Sequence, residues 1–583
     1  MTHSPARRIA LVLALAIGAV ALMALHPLAA RAQSAQPAYI ETPVSSFAPD
    51  SAQVTESYVS LYAPLPAADG PHPAACDRVG YLRFRSAGGP SNPADADAIY
   101  VAQPGIFEGP AAFDQVARHT IEAAAAAGYH VEFWALDPRP DCLIDNTGVA
   151  AAEVARNPTI ALNYYYNGAS VNGQTFAGWV TEQNAAWLSH DGLAQTVQDE
   201  YTVISQLPPA VRETKVLCGG HSLGGIVTGA FIDWDFSGTG NPAGAGYNQC
   251  AGYFALDTRF TTSASKAVLS AFNGGALNAI LSAGSSAYPY VSIAPITPET
   301  LEALPILGMS AFFQPNAKST LLTTLPTDKK FNSTLDILLA RSLSSYVLDS
   351  PNPRKFNVTN EAAVGFVLGD VSQPIGILRT SVGVPTGGPV VEKSFPVAYG
   401  SASEDDGLLG GNDLIAPAPA SASPSGPVYS WLNYNQVPTP GPSPADDPGQ
   451  PYTSAASQVS DITQLSRTLF DSGRPFTENY FPTQLALDID AIANGDRSGT
   501  LAGLVYSNGL MMHPAAYIDA GEGIAPGLGA PPTGPAPQAH VLAQGYNHLD
   551  VLTAAAVQNN GLPELSSTTL ATWMRQVVPP PAG

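Results

Sequence analysis

Apolar positions change period several times along the chain. Compact apolar runs at Ala98–Ala102, Val131–Leu136, Lys215–Cys218 and Ala251–Leu256 are each bounded by Gly, Pro or Asp, as buried strands are. Between them, Phe113, Val116, Ala117, Ile121 and Ala124 recur at helical spacing and stop at Gly128. Leu193, Val197, Tyr201, Ile204 and Leu207 do the same ahead of the Val216 strand. Strand, helix and strand in succession predict parallel βαβ units. The fold class expected is α/β: a doubly wound, mostly parallel sheet with its functional edge at the strand C-termini.

After Asp257 this rhythm stops. Residues 261–510 are far too long for an ordinary connection and predict an inserted subdomain. Within it, Leu335, Leu338, Leu339, Leu343 and Tyr346 fall on one helical face, as do Ile462, Leu465, Leu469 and Phe470. Ala416–Pro451, dense in Pro, Ala, Ser and Gly, reads as an extended, poorly ordered surface segment. The sheet resumes at Ala515–Ile518 and Ala539–Ala543, and a final helix offers Leu570, Trp573, Met574 and Val577 to the core. The division expected is a core over 33–260 and 511–583, with the insertion between.

Residues 1–32 carry Arg7 and Arg8, the apolar run Ile9–Leu25, and Ala30-Arg31-Ala32. These are the basic, hydrophobic and small-residue zones of a secretory signal peptide cleaved after Ala32, so export to the periplasm or beyond is expected. The run is short for a spanning helix, and no other stretch is apolar enough for one, so no integral membrane span is expected after cleavage. A net charge of −22 and a pI near 4.7 repel nucleic acid and anionic membranes, which favours neutral or apolar substrates. In an exported chain, Cys76 and Cys142 are the preferred disulfide pair; Cys218 is either a free core thiol or bridged to Cys250. No Cys or His pair has zinc-like spacing. The acidic run Ser403–Gly407 lacks the alternating carboxylates of a calcium loop, so it reads as a solvated turn, and neither metal nor cofactor is expected.

The chemistry centres on Gly220-His221-Ser222-Leu223-Gly224, between the Val216 strand and a small-residue helix. Gly-x-Ser-x-Gly at a strand-to-helix turn lifts the serine hydroxyl out beside a helix N-terminus. A serine hydroxyl needs a neighbouring base, usually a histidine oriented by a carboxylate. His548, in Gly545-Tyr546-Asn547-His548-Leu549-Asp550 after the Val541 strand, has the late chain position that this arrangement requires. His221 reads as structural, supporting the turn. His513 and the remaining histidines read as packing or surface residues.

The glycine loop at Gly105, the GHSLG turn and the GYNHLD loop together resemble the α/β-hydrolase superfamily, over the first half of the chain after residue 32 and over its last segment. The resemblance counts the strand before Gly105 as the third. It implies an oxyanion hole made by the backbone N–H of Leu223 and of Ile106, although Pro104 stands where many relatives have histidine. For the triad acid it offers two positions. Asp257 ends the strand after the nucleophile, where some lipases place the acid, and it is preferred. Glu522 follows the next core strand, where most relatives place an aspartate. Asp519 and Asp413 are weaker candidates. The insertion takes the place of a cap over the site. The activity implied is cleavage of small-molecule or polymeric carboxylic esters through an acyl-enzyme. A serine peptidase or amidase on the same fold, or a non-catalytic binding protein on a hydrolase scaffold, are the alternatives.

Overall fold

The computed structural model describes residues 38–261, 275–396 and 414–580. The leader over 1–32, the acidic run 403–407 and Asp413 lie outside the described residues. Nine strands form one sheet: β1 Tyr39–Val44, β2 Val54–Tyr62, β3 Arg78–Ser86, β4 Ala98–Gln103, β5 Val131–Asp137, β6 Val216–His221, β7 Gly252–Leu256, β8 Ala515–Ala520 and β9 Ala539–Ala543. Their spatial order is β1-β2-β3-β5-β4-β6-β7-β8-β9. Each neighbouring pair along β1-β2-β3-β5 is antiparallel, and every neighbouring pair from β5 to β9 is parallel. This is the doubly wound, mostly parallel sheet expected of the α/β class.

The parallel strands β4 to β8 are buried along their whole length, because helices cover both faces, and that is why they read as unbroken apolar runs. Tyr100 and Ala102 point to one face, towards α1 Asp114–Ala126, while Ile99 and Val101 point to the other, towards α2 Leu193–Ile204 and α3 Leu223–Asp233. The flank β1 to β3 was not anticipated, so the strand leading to Gly105 is the fourth in the chain and not the third. In β2 the residues alternate: Val59 and Leu61 are buried while Tyr58 and Ser60 are half-buried. Such an alternation over a few residues leaves a weaker trace than a continuous apolar run.

The chain between β7 and β8 carries α4 Ala303–Phe313, α5 Lys329–Leu339, α6 Asn360–Leu368, α7 Ile462–Thr468 and α8 Thr483–Ala493, and α9 Leu565–Val577 closes the fold beside α1. Two expectations change here. Leu343 and Tyr346 do not continue the α5 face: Ala340 is extended, and the Ser342 side chain caps a separate short helix, Leu343–Leu348. The first part of Ala416–Pro451 is not a loose surface segment. Its strand Val428–Leu432 lies between Asn357–Val358 and Val384–Thr386 in a small sheet, and Trp431 is buried against Gly365 of α6, its indole N–H donating to Val382 O at 3.0 Å. The Trp431 and Tyr429 rings outweigh the local Pro and Ser content.

Where α7 meets α1, Arg467 of α7 pairs with Asp114 of α1 and, at 2.8 Å, with Asp471. Asp114 also accepts from Arg118, which reaches Glu56 of β2 at 2.7 Å. Cys76 bridges to Cys142, and Cys218 of β6 to Cys250 just before β7. Among the described residues, no helix is long and apolar enough to cross a membrane.

Candidate active site

Ser222 sits at the apex of the turn from β6 into α3, at φ 54° and ψ −121°. A non-glycine residue reaches that region only when its surroundings hold it there. Here Ser222 N–H donates to Leu256 O at 3.2 Å, and its carbonyl accepts from Thr258 Oγ1 at 2.6 Å, so β7 grips the turn from both sides. Close packing does the rest: a Cβ on Gly224 would lie 2.1 Å from Gln103 O at the end of β4. The Leu223 and Gly224 N–H groups precede the first hydrogen bond of α3, from Gly225 N–H to Ser222 O at 3.1 Å, and stand beside the serine.

The loop after β4 approaches from the neighbouring strand. A side chain on Gly105 would meet Ser222 Cβ at 3.0 Å. The Gly105 N–H donates to Glu108 Oε2 at 2.6 Å, and the loop is tightened by Phe107 at φ 61°. Ile106, the next residue, is buried beside it.

Asp257 and His548 meet: His548 Nδ1 and Asp257 Oδ2 are 2.5 Å apart, both side chains buried. Asp257 follows β7 at φ 45°, and its carboxylate also accepts backbone N–H groups from Ala520, Ile524 and Ala525 at 3.1, 2.8 and 3.0 Å. Burial alone would raise the Asp257 pKa. The His548 hydrogen bond and charge, with the N–H donors of Ile524 and Ala525, reverse this and hold the carboxyl below its ordinary value. His548 is lowered as well, first by burial and then by the charge of His221, against the opposing pull of Asp257.

Glu522 is exposed, and its N–H donates to Tyr546 O at 2.9 Å. It lies in the loop after β8 whose backbone cradles Asp257, so the alternative acid contributes its loop and not its carboxylate. Asp519 is occupied otherwise, in a two-pronged pair with Arg259 at 2.7 and 2.8 Å and with His540 at 2.8 Å. His513 packs edge-on against Tyr253.

The Ser222 hydroxyl forms no hydrogen bond with any described residue. The preceding residue, His221, packs against His548, with ring centroids 4.3 Å apart. His221 Nδ1 lies 2.7 Å from Glu108 Oε1, and its Nε2 lies 3.0 Å from the His548 carbonyl. The sequence reading missed Glu108, whose only signal is its place three residues after Gly105. It also missed Asp550, two residues after His548. Asp550 accepts from Asn547 N at 2.7 Å, and from Ser381 Oγ and Ser460 Oγ, both from the chain between β7 and β8, at 2.8 and 2.5 Å, which anchors the His548 loop. Beside Gly105 and Leu223 a cavity opens, walled by Leu136, Val203, Phe481 and Leu485. Among the described residues, no cluster of three or more His, Cys, Asp or Glu is arranged to hold a metal ion.

No family model and no curated protein matches this sequence. Among solved structures, a candidate lipase from Sulfolobus solfataricus is 12% identical over 91% of this chain and 97% of its own, with a TM-score of 0.37. A lipase in its open form is 11% identical over 93% of this chain and 99% of its own, with a TM-score of 0.25. The epoxide hydrolase VrEH1 from Vigna radiata is 12% identical over 81% of this chain and 90% of its own, also with a TM-score of 0.25. The fold assignment rests on the strand order and turn geometry of the chain itself.

Proposed function

We propose that the protein is an exported serine hydrolase that cleaves carboxylic esters through an acyl-enzyme. The observation that carries this reading is the buried Asp257–His548 hydrogen bond, beside a serine held at φ 54° at the start of a helix. With its Nδ1–H donated to Asp257, His548 is left with Nε2 as the ring nitrogen to take the Ser222 proton. Ser222 Oγ then attacks the ester carbonyl carbon. The negative charge that develops on the carbonyl oxygen falls to the N–H groups of Leu223 and Ile106. Collapse of this intermediate expels the alcohol, which takes the proton back from His548. A water molecule, deprotonated by the same imidazole, releases the acid and restores Ser222. The lowered pKa of His548 keeps the imidazole neutral, as a base must be.

Export is supported by the leader pattern over 1–32 and by the two disulfides, which persist in oxidising compartments. We read residues 261–510 as a cap, since Phe481 and Leu485 of that segment help wall the cavity beside Leu223. Such walls suit an apolar acyl or alcohol group.

The test is treatment with a fluorophosphonate probe and with p-nitrophenyl esters of increasing acyl length, for the wild type and Ser222→Ala. The expected result is labelling at Ser222 and ester turnover in the wild type, with both lost in the variant. Folded wild-type protein that takes no label overturns the reading. Turnover of a peptide panel in preference to every ester would move it to the peptidase alternative.

A further inference from the structure

We propose that Glu108 and His221 form a second carboxylate–imidazolium pair that positions the base and the oxyanion loop. The proposal rests on the reading of Ser222 and His548 as nucleophile and base.

Hydrogen-bond chemistry sets the protonation of the pair. His221 Nε2 faces the His548 backbone carbonyl at 3.0 Å, and a carbonyl only accepts, so Nε2 carries a proton. His221 Nδ1 faces Glu108 Oε1 at 2.7 Å, while the other Glu108 oxygen takes the Gly105 N–H at 2.6 Å. The proton between Nδ1 and Oε1 is placed on the imidazole, because the Gly105 N–H on the other Glu108 oxygen favours the carboxylate and the nearby charges of Glu108 and Asp257 favour a protonated His221, which gives His221 two N–H groups and a positive charge. Both side chains are buried, and an ion pair survives burial when its remaining hydrogen-bonding capacity is used, as it is here.

One chain of contacts therefore runs from Gly105 N–H through Glu108 and His221 to the His548 carbonyl. It joins the oxyanion loop, the serine turn and the base loop, which are remote in sequence. Its second effect is electrostatic, because the His221 and His548 ring centroids are 4.3 Å apart. Asp257 and Glu108 favour a protonated His548, while burial and the His221 charge oppose it. His221 itself faces Glu108, Asp257 and His548. A base works only when unprotonated, so activity falls as pH drops through the His548 pKa. A cation alongside lowers that pKa and moves the acid limb to lower pH. Removing the cation moves the limb up.

The test uses Glu108→Gln and His221→Asn in the full chain. The readouts are kcat and KM on a p-nitrophenyl ester, the pH profile of kcat/KM, and the rate of fluorophosphonate labelling. Expected are a fall in kcat on the order of 10²-fold with KM little changed and an acid limb moved up by on the order of one pH unit. The larger shift is expected in His221→Asn, because Glu108 stays charged there. Variants that keep both the wild-type rate and the wild-type acid limb overturn the proposal. Nitrogen-15 spectra of histidine-labelled wild-type protein, with His221 assigned from the signal lost in His221→Asn or in Ser222→Ala/His221→Asn, give a readout independent of activity and of how well either variant turns over. Two protonated ring nitrogens at neutral pH are expected, and a neutral His221 tautomer would overturn the pair. Failure of the wild type to label, with His221 still an imidazolium, would fall on the proposed function and not on the pair.

Discussion

At the C-terminal edge of the sheet and at the seam between α1 and α7, the protein buries carboxylates equally deeply and partners them differently. Asp257 is held by three backbone N–H groups and one imidazole, and of these only the imidazole can change protonation near neutral pH. Asp114 is held by the guanidinium groups of Arg118 and Arg467, which stay charged throughout that range. Both carboxyls are pulled below their ordinary pKa against the effect of burial, Asp114 by Arg118 and Arg467. The first arrangement leaves one proton free to move. The second leaves none, and joins α7 to α1.

The sharpest break in that comparison is expected from Asp257→Asn. An amide keeps the shape and can still accept from the cradle, but it does not favour the His548 tautomer that presents Nε2 as the base. A loss on the order of 10⁴-fold in kcat is expected, with thermal unfolding close to wild type. A large loss of stability with little change in kcat per folded molecule would make Asp257 a structural residue instead.

Arg467→Met should give the opposite signature. Removing one partner of a buried pair leaves Asp114 and Asp471 undercompensated, which costs about 3–5 kcal/mol, measured by urea unfolding. The rate of Ser222 labelling per folded molecule should stay as in wild type. An active-site defect without destabilisation would erase the distinction drawn between seam and rim.

The smallest effect is expected from Glu522→Gln. Its side chain is exposed while its backbone serves the Asp257 cradle, so kcat should stay within about threefold of wild type, in line with surface substitutions away from special features. A loss comparable with that of Asp257→Asn would return the choice of acid to Glu522.

The readability of the fold followed burial. β4 to β8 are legible because both faces are covered and most positions are apolar or small, whereas β1 is exposed and β2 alternates at the antiparallel flank. In the insertion, local composition misled where long-range contacts prevailed. Ala416–Pro451 looks loose by its Pro and Ser content, yet Trp431 and Tyr429 bury themselves against α6. The helix drawn through Leu335 to Tyr346 is interrupted because Ser342 caps a new start, a choice that spacing alone does not reveal.

By itself, the sequence determined the serine turn and the late histidine loop, because each is a local pattern of glycine, strand and helix signals that chain geometry permits in few other ways. It also determined that Asp257 ends a strand and that Glu522 lies on the loop after the next one. Which of the two carboxylates reaches His548 was decided only by the pairing of β7 with β8. That pairing turns the Glu522 loop into a ring of backbone donors around Asp257 and leaves the Glu522 side chain in solvent. The contact of Glu108 with His221 was decided in the same way. Residues so far apart in the chain have no common local signal, and only the assembled sheet brings the ends of β4, β6 and β9 to one edge.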